Sequence, residues 1–303
     1  MIQFPNLFII GAPKCGTTSL FDALVQHPEI TGSNIKEPVY LCSDLERKSH
    51  QMTRDEYLNL FDFSKDSKYY CEASVLYLYS QAACREICLS SVDPKIIIML
   101  RNPIDFIESL YSHNRLQGYE GATSLKDALA LEKERRQGKQ ANYGPYTFAP
   151  IMLQYLNLAS FTGHIKRYFS AFPRSSFWIE TLDKLRDSPV ESLRSLSDFL
   201  EIDDNSKLQL PWSNKGGKSR VNWLHQLMID RNSFPRRMAK SLLPDKLRSR
   251  LFDTLWKANT IEKRFDSSDY HVYEYLLENL SEDVDILSTL LDRDFKSEWN
   301  FRV

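Results

Sequence analysis

The chain has 303 residues, 42% hydrophobic and 26% charged, with 39 Lys and Arg against 40 Asp and Glu. A chain of this size removes roughly three quarters of its unfolded surface from water, which excludes a disulfide-stapled mini-scaffold, and the composition excludes disorder. A net charge of −1 excludes a global field for holding nucleic acid.

The opening segment, MIQFPNLFIIG, has no cationic leader and an apolar stretch too short for a signal sequence or a membrane span. A cytoplasmic protein with no transmembrane segment is therefore expected. Leu7 to Ile10 is an apolar run closed by Gly11, and Thr17 to Val25 has helical periodicity through Leu20, Phe21 and Leu24. This reads strand, glycine loop, helix. Cys15, Cys42, Cys71, Cys84 and Cys88 form no CxxC pair, and none has a histidine at zinc-ligand spacing. Cys84 and Cys88 share one face of an expected helix as buried free thiols, in keeping with a reducing compartment.

Ile96 to Leu100 (IIIML) is an unalternated apolar strand, as expected where both faces of a parallel sheet are covered, and Arg101-Asn102-Pro103 ends it. Helical spacing resumes from Asp105 to Arg115. Between Gln117 and Pro150 the composition turns polar, around a charged helix-like piece from Leu125 to Arg136. This stretch reads as a lid or acceptor excursion. A third strand and helix follow, Phe177 to Ile179 and Ser188 to Leu200, with an apolar stripe of Val190, Leu193, Leu196, Phe199 and Leu200. Strands alternating with helices predict an α/β fold, a central parallel sheet with helices on both faces. From Lys215 to Arg250 ten Lys or Arg stand against two Asp, and no domain boundary is legible.

The segment Gly11-Ala-Pro-Lys14-Cys15-Gly16-Thr17-Thr18-Ser19 lies where a strand ends and a helix begins. Backbone N–H groups and the positive helix end converge on an anion there. Gly11 and Gly16 permit close approach, Lys14 supplies an ammonium, and Thr17, Thr18 and Ser19 supply hydroxyls. The glycine spacing equals that of the nucleotide triphosphatase loop GxxxxGK[ST], but Thr17 stands where that loop has its lysine. Arg101 ends the IIIML strand where such an enzyme would carry an acid for magnesium. An arginine there suits a second phosphate, bound and left unreacted. Ser109, eight residues on, lies two turns into the following helix.

With those residues in view, FIIGAPKCGTTSL resembles the 5′-phosphosulfate loop of sulfotransferases that use 3′-phosphoadenylyl sulfate (PAPS), and IIIMLRNPIDFIESLYSH resembles their 3′-phosphate motif. NIKEPVYL is similar to the KEPxYF stretch of bacterial and glycan sulfotransferases. WIETLDKLRDSPVESLRSLSDFLEI, Ser213 to Arg220 and the terminal LLDRDFKSEW are similar to later family segments, so nearly the whole chain is covered. The resemblance implies one sulfotransferase domain over residues 1–303, with 117–150 as the acceptor excursion. It implies PAPS as co-substrate, its desulfated form PAP as product, and no metal.

It also implies roles. Lys14 acts on the leaving phosphate, and Cys15, Gly16, Thr17, Thr18 and Ser19 hold the 5′ end. Arg101 and Ser109, with Lys215, Gly216, Gly217, Lys218 and Arg220, hold the 3′-phosphate. Glu37 is the first choice of general base, Glu72 the second and His113 the third. Glycan enzymes of the family often carry lysine where this chain has Ala73. A small natural-product or metabolite acceptor is expected, with a glycan O- or N-sulfotransferase as the alternative. Glu37, Glu72 and Glu120, if near the cleft, would tolerate a cationic acceptor. From another class, a P-loop kinase or nucleotide hydrolase stays open, as does a non-catalytic nucleotide-binding or membrane-surface module working through Arg231 to Arg250.

Overall fold

A computed structural model describes residues 3–48, 51–139, 141–203, 208–211, 218–219, 254, 260–261 and 270–301. The chain divides into two compact units. The first comprises Met1–Phe106, Asn157–Asn214 and Leu276–Val303, and the second Ile107–Leu156 and Lys215–Tyr275.

The first unit is built on a five-stranded sheet, β1 (Leu7–Gly11), β2 (Ile30–Gly32), β3 (Tyr69–Ala73), β4 (Lys95–Leu100) and β5 (Phe177–Thr181), in the order β2-β3-β1-β4-β5. Every pairing is parallel. Helices α1 (Thr17–Leu24), α2 (Arg54–Leu58), α3 (Gln81–Ser90) and α4 (Pro103–Leu116) follow in chain order. The central strands β1, β3 and β4 are buried almost throughout, which is why β1 and β4 read as continuous apolar runs. The strand order runs outward from β1 in both directions, and ligands of such sheets sit beyond the carboxyl ends at this reversal. Gly11 and Arg101 stand at that edge, at the ends of neighbouring strands.

The sheet confirms the expected α/β architecture and adds two strands absent from the sequence reading, β2 and β3. Val190 is 79% exposed, so the stripe of helix Pro189–Leu200 is carried by Leu193, Leu196 and Leu200 without it. Cys84 is buried but Cys88 is exposed, because α3 turns that position outward. Among the described residues no helix is long and apolar enough to cross a membrane.

In the second unit, the expected single helical piece is two short helices, Leu125–Ala130 and Glu132–Arg136, broken at Leu131. Arg135 and Glu120 form a fully buried two-pronged ion pair, with 2.7 Å contacts from Nη1 to Oε2 and from Nη2 to Oε1. Arg135 also donates to the carbonyls of Ala141, Leu153 and Asn142, and Tyr155 donates to Glu120 Oε2 at 2.8 Å. Glu120 is thus committed inside the unit and cannot serve a cationic acceptor, contrary to expectation. Tyr155 is buried with it, while Tyr143, Tyr146 and Phe148 are partly exposed.

Candidate functional site

The glycine loop is tied to the sheet by its own backbone. Ala12 N–H donates to Met99 O on β4 at 2.7 Å, two residues before Arg101. Lys14 (φ 63°) and Gly16 (φ 83°) both take the left-handed conformation, the backbone habit of anion-binding loops, and between them Cys15 N–H donates to Ala12 O at 3.3 Å and closes the turn. Lys14 holds a conformation that side-chain-bearing residues adopt only where their surroundings enforce it. Gly16 starts α1 with no side-chain cap, and the first turn of that helix holds no acidic residue. The positive end of the helix thus carries no negative side chain of its own first turn.

The two loop glycines are required by packing as well. A Cβ on Gly11 would come within 2.8 Å of Leu78, and one on Gly16 within 2.8 Å of Leu182. Thr17 is buried and Thr18 half-buried, whereas Ser19 Oγ donates to Pro211 O at 2.8 Å, which engages its proton on a backbone carbonyl. Cys15 is buried, and burial pushes its thiol up to about 12, so it stays neutral and offers Lys14 no counter-charge.

Burial lowers the Lys14 ammonium below its usual range, and the Arg101 guanidinium adds to that lowering. The two cations therefore lie near enough for Arg101 to disfavour the charge on Lys14. Arg101 Nε is buried with no acceptor among the described residues, and its Nη2 lies 3.5 Å from Asp105 Oδ2, a long contact to a half-exposed carboxylate. A buried donor with no acceptor among the described residues, beside a second cation, favours a bound anion.

Glu37 lies in a strap between β2 and α2 with a left-handed backbone (φ 60°). Its Oε1 accepts from Lys36 Nζ at 2.6 Å, its Oε2 from Val75 N–H at 2.9 Å, and its side chain stays 33% exposed. Glu72, on β3, is fully buried. Ser74 Oγ donates to it at 2.7 Å, and so does Tyr57 Oη. Burial raises its acid to about 7 against the pull of these hydroxyls.

Ser109 and His113 lie one turn apart on α4, in its portion within the second unit, both half-buried, and the His113 ring meets Tyr119 edge-on at 6.3 Å. Lys218 starts a two-residue strand paired with Thr260–Ile261. Lys215, Gly216, Gly217, Arg220 and the basic stretch from Arg231 to Arg250 lie outside the described residues.

A clamp at the end of β5 joins two segments that the sequence reading had taken separately. Arg293 donates to Glu180 at 2.9 Å and to both oxygens of Glu298 at 2.9 Å, and Thr181 Oγ1 donates to Glu298 at 2.7 Å. The WIET and LLDRDFKSEW motifs are thus the two halves of one ion-pair cluster. Each was legible as a pattern, but their pairing spans more than a hundred residues.

A parallel sheet with a glycine loop and a cation at neighbouring strand ends defines an anion-handling α/β protein. The sequence model of a family described as "Sulfotransferase domain" matches residues 4–214. The chain belongs to the sulfotransferase family. It is similar to the bifunctional heparan sulfate N-deacetylase/N-sulfotransferase 1 of Xenopus laevis, 25% identical over 206 residues. It is also similar to the corresponding enzyme 2 of Homo sapiens, 26% identical over 208 residues. Each match covers 66% of this chain but 22% of the relative's length. A sulfotransferase from Alicyclobacillus acidocaldarius, solved by crystallography, shares its fold with a TM-score of 0.66 at 25% identity, over 98% of this chain and 99% of that one.

Proposed function

We propose that this chain transfers the sulfuryl group from PAPS to a hydroxyl or amine of a small metabolite or natural-product acceptor, releasing PAP. The observation that carries this reading is the pair of cations at adjacent strand ends, Lys14 with its lowered pKa and Arg101 with a buried Nε that has no acceptor among the described residues. Transfer moves an SO3 unit from the bridging phosphate oxygen to the acceptor, and negative charge builds on that oxygen as the bond breaks. Lys14 meets that charge with an ammonium that costs little to reorganise at the moment of reaction. The N–H group of Gly16 and the hydroxyls of Thr17 and Thr18 hold the 5′ end, while Ser19, its proton given to Pro211 O, and Cys15, its N–H given to Ala12 O, brace the loop from behind.

Arg101, Ser109 and the Lys215 to Arg220 segment grip the 3′-phosphate, a remote anchor that places the sulfuryl group in line with its acceptor. Glu37 takes the acceptor proton. Its carboxylate is aimed by Lys36 and Val75, and its side chain is part-exposed. His113 is the reserve base. Residues 1–303 work as one sulfotransferase domain, with 117–150 shaping the acceptor side.

A glycan acceptor is the second reading, favoured by the similarity to proteins named as heparan sulfate N-sulfotransferases and disfavoured by Ala73. The test is a panel of phenols, alkyl alcohols, amines and de-N-sulfated heparan oligosaccharides incubated with sulfur-labelled PAPS. Label should pass to a member of the panel with equimolar PAP. Magnesium-dependent turnover of ATP without sulfate transfer would instead identify a kinase or nucleotide hydrolase.

A further inference from the structure

The buried carboxylate of Glu72 is the meeting point of a hydrogen-bond set that the reaction above does not use. Ser74 Oγ and Tyr57 Oη both donate to it, and the buried Tyr77 hydroxyl stands near enough to favour its charged form with them. Each of these three residues also holds one of three consecutive residues in the strap that follows Glu37. Ser74 Oγ accepts from Val39 N–H at 3.1 Å. The Tyr57 ring stacks on Tyr40, with centroids 4.3 Å apart and planes 16° from parallel. Tyr77 Oη accepts from Leu41 N–H at 3.2 Å.

The lacing continues at both ends. Glu37 N–H donates to Ala73 O at 2.9 Å, and Asp44 accepts from Ser80 Oγ and from the N–H groups of Gln81 and Ala82. Glu37 and Val39 both have left-handed backbones, φ 60° and 53°, a conformation that persists only where neighbours over-determine it. An ionised carboxylate can accept from all three hydroxyls, which frees their lone pairs to face the strap's N–H groups. An amide offers a single acceptor oxygen, and its NH2 opposes a hydroxyl proton. A chain of such bonds is stronger than its links taken singly.

We propose that Glu72 is a positioning residue, fixing residues 39–41 through Ser74, Tyr57 and Tyr77 and thereby setting where the Glu37 carboxylate stands. This rests on the reading of Glu37 as base. It also accounts for a carboxyl at a fully buried place on β3.

The experiment compares the full-length wild type with Glu72→Gln by amide hydrogen exchange over residues 37–41, PAP titration, thermal melting at pH 8 and turnover with the acceptor found in the panel. The Val39 and Leu41 amides should exchange roughly five- to tenfold faster, the worth of one hydrogen bond. Turnover should fall by about 100-fold, as expected for a displaced catalytic group. PAP affinity should stay within about twofold of wild type and the melting midpoint should not drop, because an uncharged group is easier to bury.

Unchanged exchange at 39 and 41 overturns the proposal whatever Glu37 does. Faster exchange with undiminished turnover also overturns it, provided Glu37→Gln is inactive. If Glu37→Gln itself turns over normally, the base reading falls while the exchange result still decides what anchors the strap. Should Glu72→Gln fail to fold, Ser74→Ala and Tyr77→Phe each cut one tether and leave the carboxylate in place. Faster exchange with lowered turnover in both supports the proposal, and wild-type behaviour in both overturns it.

Discussion

Arg135 and Arg101 are both removed from water, one wholly and one largely, and they differ in what meets them. Arg135 is met by Glu120 through two 2.7 Å bonds and by three backbone carbonyls, so its whole guanidinium is answered from within its own unit. Arg101 has a buried Nε with no acceptor among the described residues, a long contact to Asp105, and a charge that helps lower the Lys14 ammonium. A charge whose partners are all protein is scaffold, because removing one strands the other. A charge left short of partners beside another cation is built to meet an anion from outside.

Substitutions sharpen that contrast. The largest effect is expected for Lys14→Ala, which should reduce sulfate transfer by about 1,000-fold or more while the chain melts as before. Measurable turnover within tenfold of wild type would remove Lys14 from the leaving-group role. Next, Glu120→Ala strands Arg135 and should cost about 3–5 kcal/mol in urea unfolding. Arg101→Ala should change stability by less than about 1 kcal/mol. If the two lose stability alike, the division between scaffold and binding cation is broken.

Glu72 is the intermediate case, a buried acid held by hydroxyls with no cation against it among the described residues. Burial raises its pKa from 4.5 to about 7 in the folded chain. A raised pKa means that its contribution to stability is full below about pH 4.5 and is lost as pH rises through about 7. The wild type should therefore lose up to roughly 3 kcal/mol across that window relative to Glu72→Gln. Urea midpoints of both proteins at pH 5, 6, 7 and 8 check this, and parallel curves would refute it.

The glycine loop and Arg101 were legible in the sequence because each is local: an apolar strand, a punctuating glycine or Asn-Pro, and a helix start within a dozen residues. Their adjacency followed from the parallel sheet those patterns imply. β3 was not legible, since Tyr69-Tyr70-Cys71-Glu72-Ala73 carries a carboxylate at a fully buried position, and no hydrophobic pattern announces a buried acid. The strap was hidden for a different reason. The bonds from Val39 and Leu41 to Ser74 and Tyr77 join residues about 35 apart, and only the fold makes them neighbours. Glu120 misled by its type: a carboxylate in a polar excursion suggests a cleft, but Arg135 closes on it. Val190 fits the helical stripe by type, but its position one residue into the helix leaves it outside the packed face.

The most direct measurement of the donor site is a calorimetric titration of PAP and of adenosine 5′-phosphosulfate, which lacks the 3′-phosphate, into wild type and Arg101→Ala. PAP affinity should fall by about 10- to 100-fold on losing a charge-assisted phosphate contact, while adenosine 5′-phosphosulfate should change by less than about twofold. Equal losses for the two nucleotides, or undiminished PAP binding, would contradict the placement of the 3′-phosphate on Arg101 and with it the proposed donor site.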